Sequence, residues 1–135
     1  MVREIVIFGD PVLRKKCAKV ESFSDEIKSL VDDMIETMVS AEGIGLAAPQ
    51  IGVPIQLAVI DVSHDPECVS YLRIDGKEIQ LKDIMPLVFI NPELEYGNKN
   101  DVMSEGCLSF PDIRGDVTRP YDLKVSLDIM GSKRE

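Results

Sequence analysis

Residues 43–52, Gly43-Ile44-Gly45-Leu46-Ala47-Ala48-Pro49-Gln50-Ile51-Gly52, decide how this chain is to be read. They lie between a helical pattern and a strand pattern, with no cap residue to start a helix of their own. Gly43 and Gly45 lack Cβ atoms, so another backbone can approach closely and pair here as an added strand, with Ile44 and Leu46 facing either side. The same composition also suits a plain turn packed around two alanines. Gln50 closes the segment with an amide that can donate to a developing oxyanion or simply to a turn carbonyl.

On the N-terminal side, Ser24 is a good N-cap, and Asp25 and Glu26 place negative charge where a helix start favours it. Ile27, Leu30, Val31, Met34, Ile35, Met38 and Val39 then recur at the three-and-four spacing of one apolar face, which predicts a core-facing helix ending at 41–43. Before it, Pro11 and Arg14-Lys15-Lys16 mark an irregular arm, expected to be anchored by Ile5, Ile7, Val12 and Leu13.

On the C-terminal side, Ile51-Gly52-Val53-Pro54 reads as a turn and 56–62 as a β-branched, apolar strand. Region 64–86 is irregular, although Asp75-Gly76 between alternating residues favours a type I′ hairpin. Residues 87–91, 93–96 and 123–129 are further strands, mostly antiparallel. The fold class is therefore α+β, with antiparallel sheets packed around one long N-terminal helix. The 135 residues, 44% of them apolar, form a single domain, 1–135, with one core.

A net charge of −9 leaves no basic stripe for phosphates, so no direct nucleic-acid contact is expected. No apolar run approaches the roughly 20 residues of a membrane span. The start of the chain carries no export signal. Cys17, Cys68 and Cys107 are too few and too scattered for a disulfide framework, which points to a reducing cytoplasm.

The second segment of interest is Glu105-Gly106-Cys107-Leu108-Ser109-Phe110-Pro111-Asp112-Ile113-Arg114-Gly115. A buried cysteine is usually inert, whereas a reactive one needs a partner. The sole histidine, His64, sits in an acidic, exposed insertion and reads as a solvated loop residue, which disfavours a Cys107–His64 pair.

Together the two segments resemble the peptide deformylase family. GIGLAAPQ is similar to its Gly-x-Gly-x-Ala-Ala-x-Gln signature, and EGCLS to its Glu-Gly-Cys-x-Ser signature, in the same order. The surroundings of Gly9-Asp10-Pro11-Val12-Leu13-Arg14, Ile90-Asn91-Pro92 and Arg119-Pro120 resemble the family too, so the likeness runs along nearly the whole chain, least in 64–86. It implies a metallohydrolase that removes the N-formyl group from N-formylmethionyl peptides, on nascent chains at the ribosome. The metal it implies is Fe2+, or another divalent ion such as Zn2+ or Ni2+. On that mapping Cys107 is a metal ligand, and Gln50 with the backbone N–H of Leu108 stabilises the oxyanion. Gly43, Ile44 and Gly45 would bind substrate, Gly45 through its backbone and Ile44 in the methionine pocket. Glu105 and Arg114 would support the site from behind.

The family's third signature, a helical His-Glu-x-x-His supplying two metal ligands and the general base, does not occur in these residues. One cysteine does not hold a divalent ion where about three protein ligands are needed. Two explanations stand, a chain cut short of its C-terminal metal-binding helix or a short relative without catalysis, and the polar, abrupt ending after Gly131 favours the first. Without that helix an apolar sheet face is left bare, which predicts a homodimer or marginal stability. The alternative function is a non-catalytic module that binds N-terminal methionyl peptides or a partner protein.

Overall fold

The computed structural model describes residues 1–64, 70–129 and 132–134. Helix α1 spans Asp25–Ser40, and the Ser24 hydroxyl accepts the Ile27 N–H at 3.3 Å, satisfying a donor that the first helical turn leaves open. Among the described residues the main sheet has five strands, β1 (Gly45–Ala47), β2 (Leu57–Ile60), β5 (Leu87–Tyr96), β8 (Leu123–Ile129) and β9 (Ser132–Arg134), in the order β1-β2-β5-β8-β9. Every neighbouring pair in it is antiparallel. Two hairpins stand outside it, β3 (Leu72–Ile74) with β4 (Lys77–Ile79), and β6 (Asn100–Cys107) with β7 (Phe110–Pro120). A short helix α2 (Leu81–Ile84) precedes β5. The α+β architecture with one long helix is as expected.

The core lies where α1 crosses the first three strands of that order. In β2, Leu57 and Val59 are buried, and their register partners Ile90 and Val88 in β5 are buried beside them, so alternation places all four on one face of the sheet. Leu30, Val31, Met34 and Met38 of α1 fill that face together with Leu46, Ala48 and Ile51. Burying each large aliphatic side chain contributes about 1.5–3 kcal/mol, which makes this cluster the main source of stability.

Two expectations need correction. Val39 was placed on the core face of α1 but is 57% exposed, while Asp33 and Thr37 are buried instead. The inner stripe of the helix runs through positions 30, 34, 37 and 38, and the N-terminal arm covers the flank bearing Asp33 and Thr37. There Arg3 donates from Nε to Asp33 Oδ2 at 2.8 Å, and the Arg3 N–H reaches Thr37 Oγ1 at 2.8 Å. The second correction is Ile7, expected as an anchor but 53% exposed. The arm is tied by its backbone at this point, Val6 N–H to the Gln50 carbonyl and Phe8 N–H to the Ser109 carbonyl, each at 2.8 Å, and that extended run turns Ile7 outward.

The Asp75-Gly76 turn has positive φ at both residues, 51° and 83°, the signature of the type I′ hairpin read from the sequence. Residues 87–91 and 93–96 form one strand, β5, interrupted by a register shift between Ile90 and Glu93. Asn91, with φ 50°, sits in that irregularity.

Candidate functional site

The two singled-out segments meet. β1 is the edge strand of the main sheet, and its pairing with β2 fixes which of its backbone groups are free to bind something else. Asp61 N–H donates to the Ile44 carbonyl at 2.9 Å, which makes 44 and 61 a hydrogen-bonded pair in the register that continues Gly45↔Ile60 and Leu46↔Val59. Antiparallel ladders alternate bonded and non-bonded pairs, so Leu46 is directed to β2 while the N–H and C=O of Gly45 point to the open edge. Ile44 is 50% exposed beside it. Gly43 follows the helix, its N–H bonded to the Met38 carbonyl at 3.0 Å. A Cβ on Gly43 would come within 2.8 Å of Leu108 Cδ1, so glycine here makes room for the second segment.

After β1 the chain enters a single 3₁₀ turn, Ala48–Ile51, which turns Gln50 back on the strand it follows. The Ala47 N–H donates to Gln50 Oε1 at 2.9 Å. With the oxygen committed to Ala47, the amide nitrogen faces the opposite way. Gln50 Nε2 lies 3.1 Å from Ser109 Oγ and 3.7 Å from Cys107 Sγ.

Cys107 ends β6 and pairs with Phe110, the first residue of β7, leaving Leu108 and Ser109 as a two-residue hairpin tip. That tip is tucked into the body of the protein. Leu108 packs against the core, Ser109 is only 2% exposed, and Phe110 stacks on Phe8 of the arm with ring centroids 5.2 Å apart. The arm therefore bridges both segments, bonding to the backbone of Gln50 and to that of Ser109.

Glu105 and Arg114 lie on the same hairpin but do not meet. Glu105 forms a two-pronged ion pair with Arg119, from Nε at 2.6 Å and from Nη2 at 2.8 Å. Hydrogen bonding to the guanidinium holds the Glu105 carboxyl below its ordinary value and raises Arg119 in turn. Arg114 lies across Gly106, where a Cβ would come within 3.1 Å of Nη1, and donates to the Ser104 hydroxyl at 3.3 Å and carbonyl at 3.1 Å. Ser109 and Arg119 were not assigned roles from sequence. Ser109 carried a signal as the last letter of EGCLS, whereas the Arg119 pairing needs the position of the hairpin turn.

Among the described residues no three His, Cys, Asp or Glu side chains gather to hold a metal ion. His64 is exposed and lies 3.7 Å from Asp61 beyond the end of β2, whereas the Cys107 thiol faces the Gln50 amide. Cys17 is apart from the site, and Cys68 lies outside the described residues. The site therefore presents an amide donor, a thiol and an open strand edge, which together can bind an extended peptide and polarise a carbonyl at its end. No described helix is long and apolar enough to cross a membrane.

The chain as a whole is similar to proteins of one known family. The family model for polypeptide deformylase matches residues 2–134. A peptide deformylase of Methylacidiphilum infernorum is 46% identical over 132 residues, which is 97% of this chain and 69% of that protein. One from Opitutus terrae is 46% identical over 127 residues, 93% of this chain and 66% of that protein. Among solved structures, a peptide deformylase from Synechococcus elongatus in complex with actinonin superposes with a TM-score of 0.80 at 34% identity, covering 98% of this chain and 63% of that one. The Thermotoga maritima peptide deformylase gives 0.79 at 33% identity, covering 100% of this chain and 79% of that one. The chain thus spans about two thirds of the length of these curated relatives.

Proposed function

The chain belongs to the polypeptide deformylase family, and from that premise we propose that the complete protein removes the N-formyl group from N-formylmethionyl peptides by metal-dependent hydrolysis. The observation that carries this reading is the Gln50 amide facing the Cys107 thiol at 3.7 Å, beside the free edge of β1. The N–H and C=O of Gly45 would pair with the backbone of the peptide, as an added strand does. Ile44, next to it, would meet the methionine side chain, and Gly43 leaves room for Leu108. As the formyl carbonyl becomes tetrahedral, charge grows on its oxygen, and the Gln50 amide with the Leu108 backbone N–H would stabilise it. Glu105 and Arg114 stiffen the hairpin that presents Cys107, through Arg119 and Ser104 respectively.

The metal we propose is Fe2+, with Zn2+ or Ni2+ as substitutes, and Cys107 as one ligand. Among the described residues the site does not fit such an ion, because a single thiol there falls short of the roughly three ligands required. We therefore assign metal dependence to the complete protein. The substrates would be nascent chains at the ribosome in the cytoplasm, and a homodimer would cover the exposed sheet faces.

The test is release of free amine from a formyl-Met-Ala-Ser peptide by the complete protein, loaded with ferrous ion without air. Gln50→Ala should lower the rate about 10²–10³-fold, as loss of one oxyanion donor does. Cys107→Ser should lose bound iron along with activity. Tight peptide binding without hydrolysis by the iron-loaded protein would instead make this a methionyl-peptide binding module.

A further inference from the structure

Ser109 carries a buried hydroxyl with no task in deformylation as proposed above, and what it can do rests on the role given there to Gln50. The carboxamide of Gln50 is held from both ends. Its oxygen takes the Ala47 N–H at 2.9 Å, and its nitrogen lies 3.1 Å from Ser109 Oγ. An amide nitrogen has two hydrogens. With one directed at Ser109, the planar geometry of the group aims the other toward Cys107 Sγ, across a long 3.7 Å contact with a weak acceptor. That second hydrogen is the one available to a substrate oxygen.

Ser109 is itself fixed. It is 2% exposed, its carbonyl takes the Phe8 N–H at 2.8 Å, and the next residue, Phe110, stacks on the Phe8 ring. The same arm binds the Gln50 carbonyl through the Val6 N–H at 2.8 Å. The arm thus ties the backbones of donor and orienting group to each other, in addition to the turn and the hairpin tip that carry them. We propose that Ser109 is a positioning residue: its hydroxyl accepts one Gln50 N–H and so aims the other at the carbonyl being cleaved, with residues 6–8 of the arm holding the pair in register. Preorganisation of this kind acts on the transition state more than on substrate binding.

The experiment is a double-mutant cycle on deformylation of formyl-Met-Ala-Ser by the complete, iron-loaded protein, with Ser109→Ala, Gln50→Ala and the combination. Losing one orienting hydrogen bond should lower kcat about tenfold with KM within about twofold, and should cost nothing further once Gln50 is alanine. In the metal-free protein, Ser109→Ala should also speed hydrogen exchange of the Gln50 side-chain amide, read by NMR. An equal loss from Ser109→Ala in both backgrounds would mean that Ser109 merely fills space, and would overturn the proposal. So would full activity of Ser109→Ala beside a crippled Gln50→Ala. If Gln50→Ala is itself fully active, what fails is the reading of Gln50 as oxyanion donor, a distinct outcome. Should Ser109→Ala not fold, Ser109→Cys keeps the volume while weakening the acceptor. It should then lose rate in the Gln50 background only, and an unchanged rate would again overturn the proposal.

Discussion

Asn91 shows how much one residue can hold in this fold. Its φ of 50° is left-handed, and its side chain pairs with both backbone groups of Val20, accepting the N–H at 2.8 Å and donating to the carbonyl at 2.7 Å. Asparagine tolerates this conformation better than other non-glycine residues, and its amide can imitate a strand's backbone. Asn91→Ala should therefore destabilise by about 2–4 kcal/mol, combining two hydrogen bonds with a strained backbone. Asn91→Gly keeps the conformation and should lose less, and equal urea midpoints for the two variants would remove backbone strain from the account. Glu105 makes the fold sensitive to pH. Its folded-state pKa is depressed by Arg119, so the contribution of the pair is present above the ordinary glutamate range and is lost as pH falls through the lower folded value. The melting temperature should drop between about pH 6 and about pH 3, and Arg119→Gln should drop less over the same interval.

At the scale of elements, α1 was legible almost entirely, because an N-cap, an acidic first turn and an apolar period all act within 16 residues. The exception teaches the most. Asp33 and Thr37 fall outside the apolar series of the helix and are nonetheless buried, since the arm that covers them comes from 30 or more residues earlier in the chain. Thr37 Oγ1 accepts the Arg3 N–H at 2.8 Å and donates to the Asp33 carbonyl at 2.7 Å. Thr37→Val keeps the shape but strands the Arg3 N–H, which should cost about 1–3 kcal/mol in guanidinium unfolding and unprotect that amide to hydrogen exchange. A change below a few tenths would mean that water replaces the hydroxyl. Hairpin β6–β7 was hidden for a different reason. Polar residues such as Asp101, Ser104, Arg114 and Asp116 interrupt the apolar positions along both strands, and most of the hairpin is exposed. β5 was read as two pieces because Pro92 interrupts its pattern. Gln50 and Cys107 were legible as members of two motifs, but their approach, and the part Ser109 plays in it, depends on how a hairpin tip enters the body of the protein.

The whole molecule is unevenly finished. Around α1 the packing is dense, with Met34, Met38 and Val59 fully buried, whereas the far end of the sheet carries large apolar side chains in solvent. Leu94 and Tyr96 of β5 share a face with their partners Val125 and Leu123 of β8, because register partners and alternate residues point the same way. On the β6–β7 hairpin Met103 lies opposite Val117, on the face that carries the Glu105–Arg119 pair. Leu94, Tyr96, Leu123, Met103 and Ile113 are each 47–64% exposed. Exposed apolar side chains paired across strands in this way favour association, and the net charge of −9 opposes it by mutual repulsion. The two terms respond oppositely to salt, since screening shortens the reach of repulsion to about 8 Å at physiological ionic strength and leaves apolar attraction intact. The 135-residue chain should therefore associate with rising concentration, and more strongly in salt, when followed by sedimentation velocity. Replacing Tyr96 and Leu123 with serine, which removes one apolar cross-strand pair, should shift the chain toward monomer. A monodisperse monomer with a high melting temperature at every salt concentration would mean instead that these faces are tolerated in water, and the homodimer would have to be given up.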